Sequence, residues 1–275
     1  MRLLQHKTEA YWFYRVLSLV YDRWVNPLFW TPAMREAALA GAALDDRSLR
    51  TLDVGAGTGF TTEGIVEHVD AACVTMLDQS PHQLARARAK DGLARCAKVL
   101  GDAEALPFGD AQFDRYVSAG SIEYWPDPER AVAEAHRVLR PGGRALIVGP
   151  VRPANPLVRR LADAWMLFPS EAEYRRLLTA AGFADVALSP VAPAWYRSPR
   201  VPYGVAASGT KPAAGSAPPA PAPAPPRERL GAPLRGGERV RTAFRFAAGS
   251  LAGALFVPLA AVLALRERWE RRRTA

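Results

Sequence analysis

The stretch that most constrains the fold is Asp53-Val-Gly-Ala-Gly-Thr-Gly59, which lies between a short apolar run and a helical pattern. Glycine has no Cβ, so the backbone there can turn sharply and approach a ligand, and a following helix presents unpaired N–H groups. A strand, a glycine turn and a helix over residues 60–68 predict the first unit of a parallel α/β sheet. A dinucleotide-binding loop of the form G-x-G-x-x-G requires glycine at position 60, where this chain has Phe60.

The rest of the first two hundred residues alternates β-branched runs with helical patterns, which is typical of an open parallel sheet. Helix start signals agree with this pattern, because Ser80 precedes Pro81, Asp127 precedes Pro128, and Ser170 with Glu173 forms a capping box. The predicted strands are Arg50–Val54, Cys73–Leu77, Ala97–Leu100, Phe113–Ser118 and Arg144–Val148.

Acidic residues follow the second and third predicted strands. Asp78 stands 25 residues after Asp53, where a carboxylate can hold both hydroxyls of a ribose, and Asp102 stands where an acidic group can read an adenine edge. Taken alone, either aspartate can also be a loop cap. Together with Ser118-Ala-Gly-Ser-Ile-Glu-Tyr-Trp125 and the Pro-Gly-Gly before the fifth strand, these motifs resemble those of class I S-adenosylmethionine-dependent methyltransferases.

The resemblance implies S-adenosylmethionine as the cofactor and a Rossmann-like sheet as the fold class. It places one group of residues around the methionine moiety, Asp78 at the ribose and Asp102 with Ala103 at the adenine. Gln79 and Ser118, at the ends of the second and fourth strands, complete the predicted cofactor site. The residues that the resemblance places around the methionine moiety are Asp53, Gly55, Gly57 and Gly59.

Histidines and cysteines give no sign of a metal centre. The four histidines are scattered without metal-ligand spacing, and Cys73 and Cys96 form no CxxC pair. We expect no metal and two buried thiols in a reducing compartment.

The N-terminus is rich in aromatic residues, with eight of the chain's 25 between positions 11 and 30. Two interpretations stay open: a helix that packs on the core, or an aromatic lid over a hydrophobic acceptor and membrane interface.

The C-terminus combines a Pro/Ala/Gly-rich linker with an apolar segment. Residues 246–265 contain twenty uncharged residues, enough to cross about 30 Å of hydrocarbon as a helix. Of the net charge of +9, +7 lies beyond residue 226, on arginines that flank this segment on both sides. This distribution favours phospholipid headgroups over nucleic acid, so we predict a C-terminal membrane helix and no nucleic-acid partner.

Longer stretches narrow the resemblance to one family. QHKTEAYWFYR, DVGAGTGFTT, GDAEALPF and DRYVSAGSIEYWPDP are similar to the methyltransferases of 2-methyl-6-phytyl- and 2-methyl-6-solanesyl-benzoquinol, which act in tocopherol and plastoquinone synthesis. The likeness runs from about Gln5 to Arg197 and implies C-methylation of a prenylated quinol at a membrane. Two departures from the family pattern are expected from the residues: the N-terminal stretch does not have the composition of a plastid transit peptide, and the linker is unusually rich in proline.

Such a reaction needs a base for a phenolic hydroxyl with a pKa near 10. Glu123, which follows the fourth strand, is the first candidate and His6 the second, while Tyr124, Trp125 and Trp165 are candidate walls for the quinol ring. The alternatives are methylation of a sterol or another isoprenoid quinone, or a non-catalytic S-adenosylmethionine-binding membrane protein.

The predicted organisation has four parts, with the catalytic domain on the cytoplasmic side of a membrane and protein partners left open. They are an aromatic N-terminal helical extension over residues 1–45, a methyltransferase domain over 46–208, a linker over 209–238 and a membrane anchor over 239–275.

Overall fold

The computed structural model describes residues 30–156, 159–160, 167–196 and 202–213, with isolated positions further along the chain. Within these ranges the helices with defined bounds are α1 (Pro32–Leu39), α2 (Phe60–His68), α3 (Pro81–Arg88), α4 (Pro128–Val138) and α5 (Glu171–Ala180). The strands are β1 (Thr51–Val54), β2 (Val74–Asp78), β3 (Ala97–Leu100), β4 (Phe113–Ala119), β5 (Leu139–Pro150), β6 (Ala184–Val191) and β7 (Gly204–Thr210).

One seven-stranded sheet organises these elements, in the order β3-β2-β1-β4-β5-β7-β6. The first five strands are parallel, whereas β7 is antiparallel to both β5 and β6. The chain starts in the middle at β1, builds outward to β3 and then crosses back to β4. The strands after β1 are added on one side of it and β4 is added on the other. The connections therefore diverge and leave a crevice at the carboxyl ends of β1 and β4, where open α/β sheets bind ligands.

Both faces of the sheet are buried because alternate residues of each strand enter different hydrophobic clusters. In β5, Ala145 and Ile147 belong to one cluster, while Leu146 and Val148 belong to the other. The first cluster contains the apolar faces of α4 and α5, and the second contains those of α1, α2 and α3. The domain is therefore a three-layer sandwich with helices on both sides.

The structure confirms the helix start signals. The Ser80 hydroxyl accepts from the Gln83 backbone N–H at 3.4 Å, and the Asp127 carboxylate accepts from the Arg130 N–H at 3.0 Å. Ser170 begins α5 with a complete capping box. These caps place the first turns of α3 and α4 at the carboxyl edge of the sheet, beside the predicted site.

Two strands, β6 and β7, are absent from the five predicted by sequence. β7 reads Gly-Val-Ala-Ala-Ser-Gly-Thr, a composition typical of a loop, yet it is buried between β5 and β6. A Cβ on Gly209 would lie 2.9 Å from Phe183 Cβ, so packing here requires a residue without a side chain. β7 ends at Thr210, inside the predicted linker, and Lys211 still donates to the carbonyls of His136 and Leu139 at 2.8 Å.

The described end of the N-terminal extension packs on the domain. Arg35 of α1 is 8% exposed and donates to the Phe60 carbonyl at 3.0 Å and to Glu67 at 3.1 Å. Residues 1–29, with the predicted aromatic lid, lie outside the described residues.

No helix in the described part of the chain is long and apolar enough to cross a membrane. Of the apolar segment 246–265 only Val262 is described, so the C-terminal membrane helix stays a prediction.

Candidate active site

The predicted cofactor residues meet at one edge of the sheet. β1, β2, β3 and β4 run in parallel, so the turns that follow them share the carboxyl edge. The glycine loop over residues 55–59 follows β1, and the backbone N–H groups of Gly55 and Ala56 donate to the Leu77 carbonyl at 2.8 and 3.1 Å. These bonds fix the loop against β2 and bring it beside Asp78.

The three glycines of the loop differ in how much space a side chain would have. All three have positive φ angles, 71° at Gly55, 56° at Gly57 and 90° at Gly59. A Cβ on Gly55 would meet the Ser121 hydroxyl at 2.5 Å, and one on Gly59 would overlap with the Leu93 side chain. A Cβ on Gly57 would meet no atom of the described residues closer than the Gly55 carbonyl oxygen, at 4.0 Å, apart from its chain neighbours. Gly57 is therefore the open point of the loop, whereas Gly55 and Gly59 are required by packing.

Asp78 holds the open point of the loop in place. One carboxylate oxygen accepts from the Gly57 N–H at 2.9 Å and the other from the Ser80 N–H at 2.8 Å. Burial raises the pKa of Asp78 to about 6, although these two hydrogen bonds favour its ionised form. The neighbouring Gln79 is partly exposed at the same strand end.

Asp53 is buried beneath the loop. Its Oδ2 accepts from the Thr62 hydroxyl at 2.6 Å, while Oδ1 has no hydrogen-bond partner among the described residues. Burial raises the pKa of Asp53 to about 7, the Thr62 hydrogen bond lowers it and the charge of Asp78 raises it further. The hydroxyl of Ser118 on β4 is likewise buried without a partner in the described structure. Unpaired polar atoms in a protein interior are costly, so these two mark positions for a polar ligand or water.

The acidic loop after β3, residues 102–108, is held in place by side chains of α4. Asp102 accepts from the Glu104 N–H at 3.0 Å, and Ala103 packs against the first hydrophobic cluster. Glu134 accepts from the Leu106 N–H at 2.8 Å, and Arg137 donates to Glu134 at 2.7 Å. Arg137 also donates to the carbonyls of Leu106 and Phe108 at 3.2 and 2.8 Å. This network gives the loop a fixed shape next to the ends of β1 and β2.

Glu123 lies in a short 3₁₀ turn, Ile122–Tyr124, that follows β4. Its backbone carbonyl accepts from the Leu167 N–H at 3.1 Å, and its Oε2 is buried without a hydrogen-bond partner in the described ranges. Burial raises the pKa of Glu123 to about 7, with a smaller opposing effect from a backbone N–H. A carboxyl group with this pKa can exchange a proton near neutral pH.

The aromatic residues near Glu123 differ in exposure. Tyr124 is partly exposed, whereas Trp125 is only 7% exposed and belongs to the first hydrophobic cluster. Trp165 and His6 lie outside the described residues, so their predicted roles stay predictions.

Sequence reasoning missed three residues that shape the site. Thr62 pairs with Asp53, and Ser121 packs against Gly55. The buried Tyr174 of α5 donates to the Pro150 carbonyl at 3.2 Å, and its pKa is raised by burial and then by the charge of Glu123. Of these three, only Thr62 could have been predicted from the sequence, because it lies in the first turn of the helix that follows Asp53 and the glycine loop.

The site fits S-adenosylmethionine. The open backbone at Gly57, the Asp78 carboxylate and the braced loop at Asp102 occupy one edge of the sheet in the order in which the class I motifs occur. The buried Asp53 Oδ1 and Ser118 Oγ add polar atoms for the ligand. In the described ranges no group of three or more His, Cys, Asp or Glu side chains is arranged to hold a metal ion.

Comparisons with known proteins agree with a methyltransferase domain. A family model described as a methyltransferase domain matches residues 52–147. A crystal structure of an S-adenosylmethionine-dependent methyltransferase from Thermotoga maritima matches with a TM-score of 0.55 at 23% identity, covering 75% of this chain and 100% of that one. At this identity the likeness shows the fold alone.

Plant proteins are much closer in sequence. The chloroplastic 2-methyl-6-phytyl-1,4-hydroquinone methyltransferase of Spinacia oleracea is 54% identical over 220 residues, covering 79% of this chain and 64% of that protein. The corresponding methyltransferase 1 of Oryza sativa subsp. japonica is 53% identical, covering 79% of this chain and 67% of its own length. The chain thus spans about two thirds of the length of these relatives. On this similarity, the chain belongs to the family of the 2-methyl-6-phytyl-1,4-hydroquinone methyltransferases.

Proposed function

We propose that this protein is an S-adenosylmethionine-dependent C-methyltransferase that methylates the ring of a prenylated benzoquinol at a membrane. The names of its relatives support the acceptor class. The observation that carries the proposal is the buried Glu123 carboxyl, with a pKa of about 7, on the sheet edge that also holds the glycine loop. An acid–base group and a cofactor cradle on one edge are what ring methylation requires.

When bound, S-adenosylmethionine supplies an electrophilic methyl group on a sulfonium sulfur. In the proposal, the backbone at Gly57 and the Asp53 carboxylate hold its methionine part, and Asp78 with Gln79 holds the ribose. Asp102 and Ala103 contact the adenine, and the Ser118 hydroxyl is a further polar contact to the cofactor.

Glu123 acts on the acceptor as the general base that takes the phenolic proton. Once the ring carbon carries the methyl group, the hydrogen on that carbon leaves as a proton and the aromatic phenol is restored. A phenol with a pKa near 10 is a weak carbon nucleophile until its hydroxyl proton is withdrawn, because the phenolate oxygen donates electron density to the ortho carbon. A carboxylate with a pKa of about 7 is a stronger base than an exposed one and is still ionised in mildly alkaline solution. Tyr174 is placed to hold the neighbourhood of Glu123 rigid through its bond to the Pro150 carbonyl.

Other predicted residues have supporting roles in the proposal. Tyr124, partly exposed in the same turn, lines the quinol ring, and Trp125 supports that turn from the core. Trp165 is a further ring contact and His6 a second candidate base.

The acceptor explains the predicted anchor. A prenylated quinol stays in the bilayer, and the twenty uncharged residues 246–265 with flanking arginines would keep the enzyme beside it. The Pro/Ala/Gly-rich linker would allow the catalytic domain to move relative to that anchor.

The test is methyl transfer by the full chain in membranes, with radiolabelled S-adenosylmethionine and either 2-methyl-6-phytyl-benzoquinol or its solanesyl analogue. We expect a radiolabelled, dimethylated quinol, and we expect Asp53→Ala to abolish its formation by weakening cofactor binding. The matched control is Asp91→Ala, which changes an exposed aspartate and should leave both binding and transfer intact.

Cofactor binding measured by calorimetry separates the possible failures. Intact binding with no transfer to either quinol would contradict the acceptor assignment, and a sterol or another isoprenoid quinone would be tested next. No binding by the folded chain would contradict the methyltransferase assignment itself.

A further inference from the structure

Three aromatic side chains form a compact patch that the proposed reaction does not use. The rings of Tyr196 and Tyr203 have centroids 5.3 Å apart, and Trp195 lies 5.8 Å from Tyr203 and 6.2 Å from Tyr196. All three pairs meet edge to face, and all three residues are partly exposed. We call Trp195, Tyr196 and Tyr203 the aromatic cluster.

The aromatic cluster lies at the carboxyl edge of the sheet. β6 ends at Val191, which pairs with Gly204 at the start of β7, and Gly204 in turn pairs with Pro150 at the end of β5. The Tyr203 carbonyl accepts from the Val151 N–H at 3.2 Å, which ties the cluster to the end of β5.

The register places this cluster near the proposed reaction. β5 is the neighbour of β4, and Gly120 at the end of β4 donates to the Val148 carbonyl at 2.9 Å. Two strand spacings of ~4.8 Å therefore separate β7 from β4, which leads into the turn that contains Glu123. The start of β7 and the end of β4 therefore lie at the same edge of the sheet, about 10 Å apart across the strands.

The composition of the cluster favours a membrane interface over a pocket for an isoprenoid chain. Tyrosine and tryptophan combine an apolar ring with a polar tip and are enriched where proteins meet the headgroup region of a bilayer. A pocket that buries a hydrocarbon chain is lined predominantly by apolar side chains with few polar groups, whereas each ring of the aromatic cluster carries a polar tip. In the sequence, Arg197 and Arg200 stand between Tyr196 and Tyr203, and both charges suit anionic headgroups.

We propose that the aromatic cluster rests on the headgroup region of an anionic bilayer and turns the carboxyl edge of the sheet toward the membrane. The inference deepens the proposed function, since a quinol head can then reach Glu123 while its prenyl chain stays in the bilayer. Contact at this edge would add orientation to the attachment that the apolar segment 246–265 provides.

The test places a fluorescent label on either edge of the full chain. Cys73→Ser and Cys96→Ala remove the native thiols, and Ala194→Cys then puts one thiol on an exposed position beside Trp195. Ser48→Cys is the control, because Ser48 is exposed before β1 and thus lies at the amino edge. Each variant is labelled with an environment-sensitive dye and reconstituted into acceptor-free vesicles of phosphatidylcholine with phosphatidylglycerol.

We expect the dye at position 194 to shift to shorter emission wavelength and to become protected from iodide, and the dye at position 48 to show neither change. Replacing both Trp195 and Tyr196 by alanine should abolish the shift at position 194 while cofactor binding persists. In transfer assays, the same double substitution should raise the KM for a vesicle-held quinol and leave kcat unchanged.

Equal signals at both positions, or none at position 194, would overturn the proposal. A shift at position 194 that appears only after quinol is added to the vesicles would also overturn it and would assign the cluster to the prenyl chain. The label readout needs no turnover, so failure of membrane contact is distinguishable from failure of the proposed methyl transfer.

Discussion

The substitution Glu123→Gln should lower activity and raise stability in the same pH range. The buried carboxyl has a pKa of about 7, against 4.5 for an ordinary glutamate, because burial disfavours its charge. Glutamine keeps the shape of the side chain but can neither ionise nor accept the phenolic proton. Loss of a positioned general base costs about 100- to 10,000-fold in rate.

The stability effect follows from proton linkage. Between pH 4.5 and about 7 the unfolded chain has released the Glu123 proton while the folded chain retains it, so this group makes the folded state less stable as pH rises. The full shift corresponds to about 3 kcal/mol, and we expect about 1–2 kcal/mol because Glu123 as a whole is partly exposed although its Oε2 is buried. Glu123→Gln should therefore match the wild type at pH 4.5 and exceed its free energy of unfolding by about 1–2 kcal/mol above pH 7.

Two measurements check these effects. Urea unfolding from pH 4.5 to about 8 gives the stability difference, and single-turnover transfer gives the rate, which in the wild type should fall about tenfold between pH 8 and pH 6. The control is Glu129→Gln, an exposed glutamate on α4 that should leave both profiles unchanged. An unaltered rate profile in Glu123→Gln, or a variant less stable than wild type at alkaline pH, would refute the reasoning.

Four further substitutions test how the cofactor site is built. Gly59→Ala should lower the free energy of unfolding by about 2–4 kcal/mol in urea, since its φ is 90° and its Cβ would overlap Leu93. Gly57→Ala should cost only about 1–2 kcal/mol but should weaken cofactor binding in calorimetry, and equal stability losses at both glycines would contradict the distinction. Asp78→Asn should weaken cofactor binding by about tenfold or more, because one amide oxygen cannot replace the two carboxylate oxygens that accept from the Gly57 and Ser80 N–H groups; an unchanged Kd would show that this pairing does not shape the cofactor site. Arg137→Ala should speed hydrogen exchange at residues 102–108, which its guanidinium holds, and unchanged exchange there would show that the loop is braced by other contacts.

The central part of the fold was readable from the sequence because local signals and global pattern agree there. The glycine loop, the capping residues and the β-branched strands each specify their own conformation. The bounds of β1, β2 and β4 differ from the prediction by one residue at one or both ends, and the helix after the glycine loop has its predicted bounds. At β5 the strand begins five residues earlier than predicted, because it continues back through the Pro-Gly-Gly segment.

The last two strands could not be read in the same way. β7 consists mostly of glycine, alanine and serine, and its strand character comes from pairing with β5 and from the closeness of Phe183. β6 contains Pro190 and exposes most of its residues, so its pattern lacks the alternation of a buried strand. Both depend on neighbours that are distant in sequence.

The candidate site also contains residues that the sequence indicates and residues whose contacts form only in the folded chain. Asp53, Asp78 and Asp102 were predicted as site residues because they lie at or just after the ends of strands, which the sequence pattern indicates directly. Thr62 and Tyr174 act through contacts made only in the folded chain. The different reasons for glycine at positions 57 and 59 likewise depend on which side chains lie opposite.

The most direct test of the central claim is the position of the transferred methyl group. The full chain in membranes is supplied with S-adenosylmethionine carrying a ¹³C methyl and with 2-methyl-6-phytyl-benzoquinol, and the product is examined by NMR. We expect the label on a ring carbon, with both hydroxyl groups unmodified. A label on a hydroxyl oxygen or on the prenyl chain, or an unlabelled quinol despite bound cofactor, would contradict the central claim.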